Sequence, residues 1–239
     1  MGTQTNHLNQ PVGESLPTWK PPAQPVHAQM TGRFCRLAPL DAIAHARALH
    51  AAYQLDTTGK MWTYLPYGPF ADFESYHAWL ESMAKSTDPL FYTIINLPNQ
   101  APVGLAAYLR ITPESGSIEV GHLNYSPLLQ QTPAATEAMY LMMAHAFSLG
   151  YRRYEWKCDS LNAPSRSAAQ RLGFKFEGIF RQATVVKGRN RDTAWYSIID
   201  AEWPALSEIF QRWLSPDNFD HQGLQRQRLS ELTSSIANR

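Results

Sequence analysis

Cysteine is nearly absent. Cys35 and Cys158 are the only two in 239 residues, far apart in sequence. That excludes a disulfide-stapled scaffold and makes a reduced, intracellular protein the simple expectation. No charge of one sign dominates: 21 Lys and Arg stand against 20 Asp and Glu, and the basic residues are scattered. A nucleic-acid or anionic-membrane binder would concentrate them, so neither partner is expected. No apolar run approaches the roughly 20 residues that a membrane-spanning helix needs. The opening residues, MGTQTNHLNQPVGESLPTWKPP, lack the basic start and apolar stretch of a secretory signal. A soluble, cytoplasmic protein follows. Internal repeats and low-complexity tracts are also missing, and no metal site is expected.

What the chain does have is apolar substance, 44% of its residues, enough to bury a core. Residues 1–32 are rich in Pro, Gln, Thr and Asn, and regular structure is not expected there, because proline removes donors and restricts its neighbours. Either this arm is disordered or Trp19 pins it to the rest; an isolated Trp in a polar segment favours pinning. The folded domain is expected over 33–214, followed by a polar tail, 215–239, that is partly helical. Within the domain, 34–37 reads as a strand, and an Ala-rich helix follows Asp41, with Ile43, Ala46, Ala48 and Leu49 as its apolar stripe. Asp72 suits the N-cap of a second helix carrying Tyr76, Trp79, Leu80 and Met83 on one face. Strands are expected at 90–95, 103–111, 117–125 and 153–158. A long helix runs over 133–149, ended by Gly150, and a last one over 203–214.

The stretch from Asn162 to Asp200 is the most specific. A short helix over 165–172 ends at Gly173, which needs no Cβ clearance as a left-handed cap. Period-two alternation begins at Phe174, and the turn cluster Lys187, Gly188, Arg189 and Asn190 separates it from a second strand over 193–200. The ordered set Asn162, Ser165, Leu172, Gly173, Phe174, Glu177, Gly178, Arg181, Gly188, Asp192, Tyr196 and Ser197 resembles the C-terminal half of the GNAT acyl-CoA-dependent N-acetyltransferases. More narrowly it looks like the Rim type, which acetylates protein N-terminal amines and has relatives acting on small amines. The resemblance spans 32–214. It implies an α+β fold with a mixed, mostly antiparallel central sheet flanked by helices. It implies acetyl-CoA as co-substrate, and a small-molecule amine or a protein N-terminus as acceptor. A homodimer is compatible with it.

A CoA pyrophosphate wants backbone N–H groups at a helix entry. The resemblance puts that entry at Gln130, Gln131, Thr132, Ala134 and Ala135, with Thr132 as N-cap and Pro133 at the first helical position. Pro133 stands where the family usually has glycine, and the alternative is an ordinary capped helix. Asn162 either contacts the pantetheine or caps the next helix, or does both. For the base that takes the amine proton, Glu119 is the first candidate. Period-two alternation puts it on one side of the pleat with Gly121, Leu123 and Tyr125, and puts His122 on the other. A sheet-edge charge or salt bridge is the competing reading of Glu119. Many relatives carry an acidic Tyr seven residues after the Asn, but here that position is Ala169, so Ser165 and Tyr125 become the acid candidates. Ser165 has helix capping as its alternative. Cys158 reads as core. The oxyanion donor is expected to be a backbone N–H near Tyr125 or Ser126.

Four aromatics crowd residues 61–70. Trp62, Tyr64 and Tyr67 are candidate acceptor walls, together with His122 and Arg181; the alternative is an aromatic mini-core under a loop. Arg189 and Asp192 also lie near the expected acceptor edge, with Arg189 and Arg191 close enough to claim Asp192. Ala169 and Pro133 keep a second hypothesis open: a catalytically degenerate GNAT that binds acyl-CoA as a regulator or scaffold. A third is an acyltransferase of the same fold with another acyl group.

Overall fold

Residues 3–237 are described by the computed structural model. Near-continuous apolar runs at 90–95 and 103–108 bury both faces at the middle of one sheet. Its strands are β3 (Met30–Thr31), β4 (Cys35–Pro39), β5 (Leu90–Asn96), β6 (Ala101–Thr112), β7 (Ser117–Tyr125), β8 (Arg153–Asp159), β9 (Lys175–Val186) and β10 (Arg189–Ile199). They lie in the order β3-β4-β5-β6-β7-β8-β10-β9. Every neighbouring pair is antiparallel except β7 with β8, which is parallel. A separate ribbon joins β1 (Thr3–Thr5) to β2 (Pro11–Gly13).

Helices cover both faces. On one side lie α3 (Pro133–Ser148), α4 (Ala163–Arg171) and α5 (Trp203–Leu214). They bury Met139, Met142, Ala169, Leu206 and Phe210 against Ile118, Val120, Tyr154, Trp156 and Tyr196 of the sheet. On the other side α1 (Ala42–Tyr53) and α2 (Phe73–Ala84) bury Leu49, Tyr53, Tyr76 and Leu80 against Phe91, Leu105 and Ala107. Local chemistry sets the helix starts. Asp41, Thr132 and Asn162 each accept a backbone N–H three residues on, and Asp72 forms a reciprocal capping box with Ser75. Gly173 ends α4 with φ at 88°, and a Cβ there would sit 2.7 Å from Leu206 Cδ1.

The expected order of strands and helices over 33–214 is the observed one, but the N-terminal arm differs from expectation. Residues 1–32 do contain regular structure. The β1–β2 ribbon closes because the Asn6 carboxamide oxygen accepts the N–H groups of Leu8 and Gln10, a turn that the polar composition favours. Met30 and Thr31 pair with Leu37 and Arg36, so the sheet begins inside the arm. The arm is pinned, and Trp19 takes part: its ring lies 3.0 Å from where a Cβ on Gly116 would be. Tyr92 Oη adds a hydrogen bond to the Val26 carbonyl at 3.1 Å. At the other end α6 (Leu229–Ala237) buries Leu229 and Thr233, and the Thr233 hydroxyl donates to the Arg171 carbonyl. No helix among the described residues is long and apolar enough to cross a membrane.

Candidate active site

The parallel pair β7 and β8 is in register only from Ser117↔Arg153 to Val120↔Trp156. Beyond Val120 the two strands part. Residues 121–125 of β7 and 157–159 of β8 therefore border a slot between the two helix layers. A bulge in β7 accompanies the split. Two steps on β6, Leu105 to Ala107, face three on β7, Asn124 to Gly121, and His122 takes the left-handed φ of 51°.

The bulge changes which side chains share a face, and this corrects the alternation read from sequence. Leu123 and Tyr125 pack with the core under α3, the side on which Ile118 and Val120 lie. His122 instead stacks on Tyr67, with ring centroids 5.6 Å apart and planes 6° apart, and packs against Phe91. His122 therefore joins Glu119 on the α1–α2 side, while Leu123 and Tyr125 leave it.

Glu119 is buried, 3% exposed, and is held by two cations. Arg110 Nη1 donates to both of its oxygens at 2.7 Å, and Lys157 Nζ lies 2.9 Å from Oε2. Burial pushes its carboxyl above the usual range, against the pull of Lys157 and Arg110. The ion pair that competed with a base role is thus present, and the proton affinity is raised all the same. The chain of charges continues across the sheet: Lys157 to Glu155 at 2.7 Å, Glu155 to Arg153 at 2.6 Å, and Arg153 to Glu177, which also accepts from Ser197. Trp195 caps Lys157, whose Nζ sits 3.7 Å from the ring centre. His122 is pushed down to about 4, by burial first and by Arg110 second, so its imidazole is neutral at pH 7 and holds protons weakly.

The two acid candidates lie on the α3–α4 side. Ser165 Oγ accepts from Trp156 Nε1 at 3.0 Å and lies against the Cys158 thiol. Its N–H donates to the Asn162 carboxamide, so the capping role of Asn162 is real. Burial raises the Tyr125 hydroxyl far above the ordinary phenol range, and Tyr125 Oη has no partner among the described residues. Ala169, the position without the family's Tyr, is fully buried in the core, and Cys158 is a buried thiol, as read for the cysteine from sequence.

At the α3 entry Gln131 is exposed with φ at 61°, and the Ala134 N–H precedes any partner within the helix. Thr132 Oγ1 accepts from Ala135 N–H at 3.3 Å. The side chains of Ala134 and Ala135 turn into the core, so closeness to a ligand there belongs to the backbone alone. Gln130 Nε2 is taken by the Tyr125 carbonyl at 2.8 Å. Ser126 N–H is taken by the Val103 carbonyl, which moves the candidate oxyanion donor back into residues 121–125.

The aromatic loop divides. Trp62 is 6% exposed and packs on Tyr53 and Phe70, which is the mini-core alternative. Tyr67 Oη meets His122 Nδ1 at 3.2 Å, and the exposed Tyr64 donates to the Leu161 carbonyl just before α4. Lys187, at the β9–β10 turn, donates to the Trp62 carbonyl at 2.8 Å. The loop therefore straps the end of the slot from two sides. Arg181 is exposed on β9, and Asp192 accepts from Gln182 and Asn190 rather than from an arginine. The charge ladder was not legible in sequence, because its members come from four strands.

The Acetyltransferase (GNAT) domain family matches residues 36–175. A GCN5-related N-acetyltransferase from Brucella melitensis is similar at 46% identity and TM-score 0.90, covering 92% of this chain and all of its own. Two distant structures share the fold. Microcin C7 self immunity acetyltransferase MccE, in complex with acetyl-CoA and AMP, has TM-score 0.62 and 17% identity, over 70% of this chain and 93% of its own. RimL, a ribosomal L7/L12 alpha-N-protein acetyltransferase, has TM-score 0.61 and 22% identity, over 72% and 94%. No curated protein matches. The chain belongs to the GNAT acetyltransferase family, and it is an N-acetyltransferase.

Proposed function

We propose that this enzyme moves an acetyl group from acetyl-CoA directly to a primary amine, either a protein N-terminus or a small aminoacyl-type molecule. The observation that carries the reading is the slot between β7 and β8, with Glu119 on one side of the sheet and Ser165 and Tyr125 on the other. Direct transfer needs a proton removed from the amine and one returned to the departing thiolate. In this arrangement Glu119, the more basic neighbour of a neutral and weakly basic His122, takes the amine proton through water. A backbone N–H of residues 121–125 steadies the carbonyl oxygen as charge develops. Ser165, or the unpartnered Tyr125 hydroxyl, supplies the proton to sulfur. The pyrophosphate is held at Gln131, Thr132 and Ala134, where the α3 dipole favours negative charge. Asn162 and Ser165 border the pantetheine. Tyr64, Tyr67 and His122 wall the acceptor.

Release of free thiol from acetyl-CoA tests this, measured against a panel of N-terminal peptides and amino acid amides, with acetylated product confirmed by mass. Transfer with a +42 Da product supports the reading. Tight acetyl-CoA binding with no transfer to any amine would point instead to a non-catalytic acyl-CoA binder.

A further inference from the structure

Arg110 is held in a strained backbone conformation beside the candidate base. It lies on β6 where three steps, Leu109 to Thr112, face two on β7, Glu119 to Ser117. Its φ is 46°, in the left-handed region that a long side chain rarely adopts. The Asp88 carboxylate fixes it there, accepting the N–H groups of Arg110 and Ile111 at 2.9 and 3.1 Å. Asp88 thus grips the backbone, and the guanidinium reaches Glu119 instead. A conformation kept at a cost, at the edge of a candidate site, points to a use for the side chain it aims.

Neutralising Glu119 does not require that side chain. Lys157 Nζ lies 2.9 Å from Glu119 Oε2 and is only 6% exposed, so little solvent screens its charge. The Arg110 side chain is 59% exposed, and water screens such a cation strongly. Both of its side-chain hydrogen bonds leave from Nη1, which leaves the N–H groups of Nε and Nη2 to another acceptor. The guanidinium is also near enough to oppose protonation of His122, so it borders the wall formed by His122 and Tyr67.

Glu119 and Arg110 therefore present, in contact, a group that takes a proton and a fork that grips a carboxylate. Their complement is a molecule with an amine and a carboxylate side by side, as on the one α-carbon of a free amino acid. A peptide N-terminus has the amine but puts a neutral amide where the carboxylate would be, and its single carbonyl oxygen cannot fill the fork. We propose that Arg110 binds the carboxylate of the acceptor, and that the acceptor class is a free α-amino acid, whose amine then lies at Glu119. Arg110 is then a specificity-determining residue, and Lys157 keeps Glu119 compensated while the guanidinium is shared. This rests on the acetyltransferase reading above and chooses among its acceptors. The transfer is unchanged: the N–C bond forms as the C–S bond breaks, one amine proton goes to Glu119, and the thiolate is protonated. The products are an N-acetyl amino acid and free CoA.

The test offers the common free L-amino acids, their amides and alanyl tripeptides with acetyl-CoA. Thiol release gives kcat/KM for each, expressed per neutral amine. For the wild type, the best free amino acid is expected to exceed its own amide by roughly tenfold or more, because the amide leaves the fork unfilled. In Arg110→Gln that ratio is expected to fall to near one. The ratio is the quantity to read, because any effect of the guanidinium on Glu119 falls on both acceptors and cancels. Arg110→Lys keeps a charge without the fork and should give an intermediate ratio. It carries the comparison should the glutamine variant not fold. A wild type that acetylates amides or peptide N-termini better than free amino acids overturns the proposal and leaves the acetyltransferase reading standing. A preference for free amino acids that survives both substitutions undiminished overturns it too, since the carboxylate is then held elsewhere. Failure of the wild type to acetylate any amine contradicts the acetyltransferase reading itself, and the assignment of Arg110 falls with it.

Discussion

At the scale of single residues, the site depends on two neighbours that burial drives in opposite directions. Glu119 is made more basic and His122 less so. Glu119→Gln keeps the shape and removes the base, so kcat should fall by about ten- to ten-thousand-fold while acetyl-CoA still binds. Because Glu119 must be ionised to act, wild-type kcat/KM should drop as pH falls through a value above the ordinary 4.5 of a glutamate. Loss of that limb in the Gln variant's residual activity, measured from pH 4 to 9, checks the assignment. A Gln variant with the wild-type rate at every pH would contradict it. His122 affects stability as well. Its folded-state value lies below the ordinary 6.5, so its contribution is full above pH 6.5 and is lost as pH falls through about 4. The loss is on the order of 3 kcal/mol. Glu119 works the other way, its raised value favouring the folded state at low pH. Urea unfolding at pH 7 and pH 4 should show the acid loss shrinking in His122→Asn, a residue that tolerates the left-handed backbone at this position. An undiminished loss would mean other groups carry the acid sensitivity.

Elements show where sequence reasoning reaches its limit. Caps and turns were legible because their chemistry is local: Asp41, Asp72, Thr132 and Asn162 cap as their side chains dictate, and Gly173 ends its helix. Residues joined by distant pairing were not. Parity along β7 failed at one residue, because a bulge at His122 depends on how β6 and β8 pair rather than on the β7 sequence. Glu137 gave no signal at all. It sits on α3, 3% exposed, and accepts the N–H groups of Arg33, Phe34 and Cys35 at 2.7, 2.6 and 2.8 Å, tying the chain before β4 to the helix. Glu137→Ala would leave those three N–H groups short of an acceptor and should cost about 3 kcal/mol or more, read from the urea midpoint. Gly32→Ala should also destabilise, since its Cβ would fall 2.2 Å from Glu137 Cδ. Within the aromatic loop Trp62→Ala should lower stability by roughly 3–5 kcal/mol, because the ring is core. Tyr64→Ala, at an exposed ring, should raise the acceptor KM and leave Tm nearly unaltered. A steep fall in Tm for Tyr64→Ala would assign that ring to the core too.

For the whole molecule, the succession of strands and helices over residues 34–214 was readable, because each element carries its own periodicity, whereas the strands of the N-terminal arm were not. The slot was not, because it exists only where two strands distant in sequence run parallel and then part. In the proposed mechanism it makes the site two-sided: proton removal is assigned to one helix layer and thiolate protonation to the other, with the transferred group passing between them. That account requires acetyl-CoA to bind along the slot with its phosphates at the α3 entry. The most direct measurement is Tm against acetyl-CoA concentration for the wild type and for Gln131→Glu, which adds a negative charge at an exposed position beside that entry. At about 100 times the dissociation constant, the wild type should gain roughly 2.7 kcal/mol of stability, and the variant should need a markedly higher concentration for the same shift. No shift of the wild type at millimolar acetyl-CoA, or an identical titration for both proteins, would contradict it.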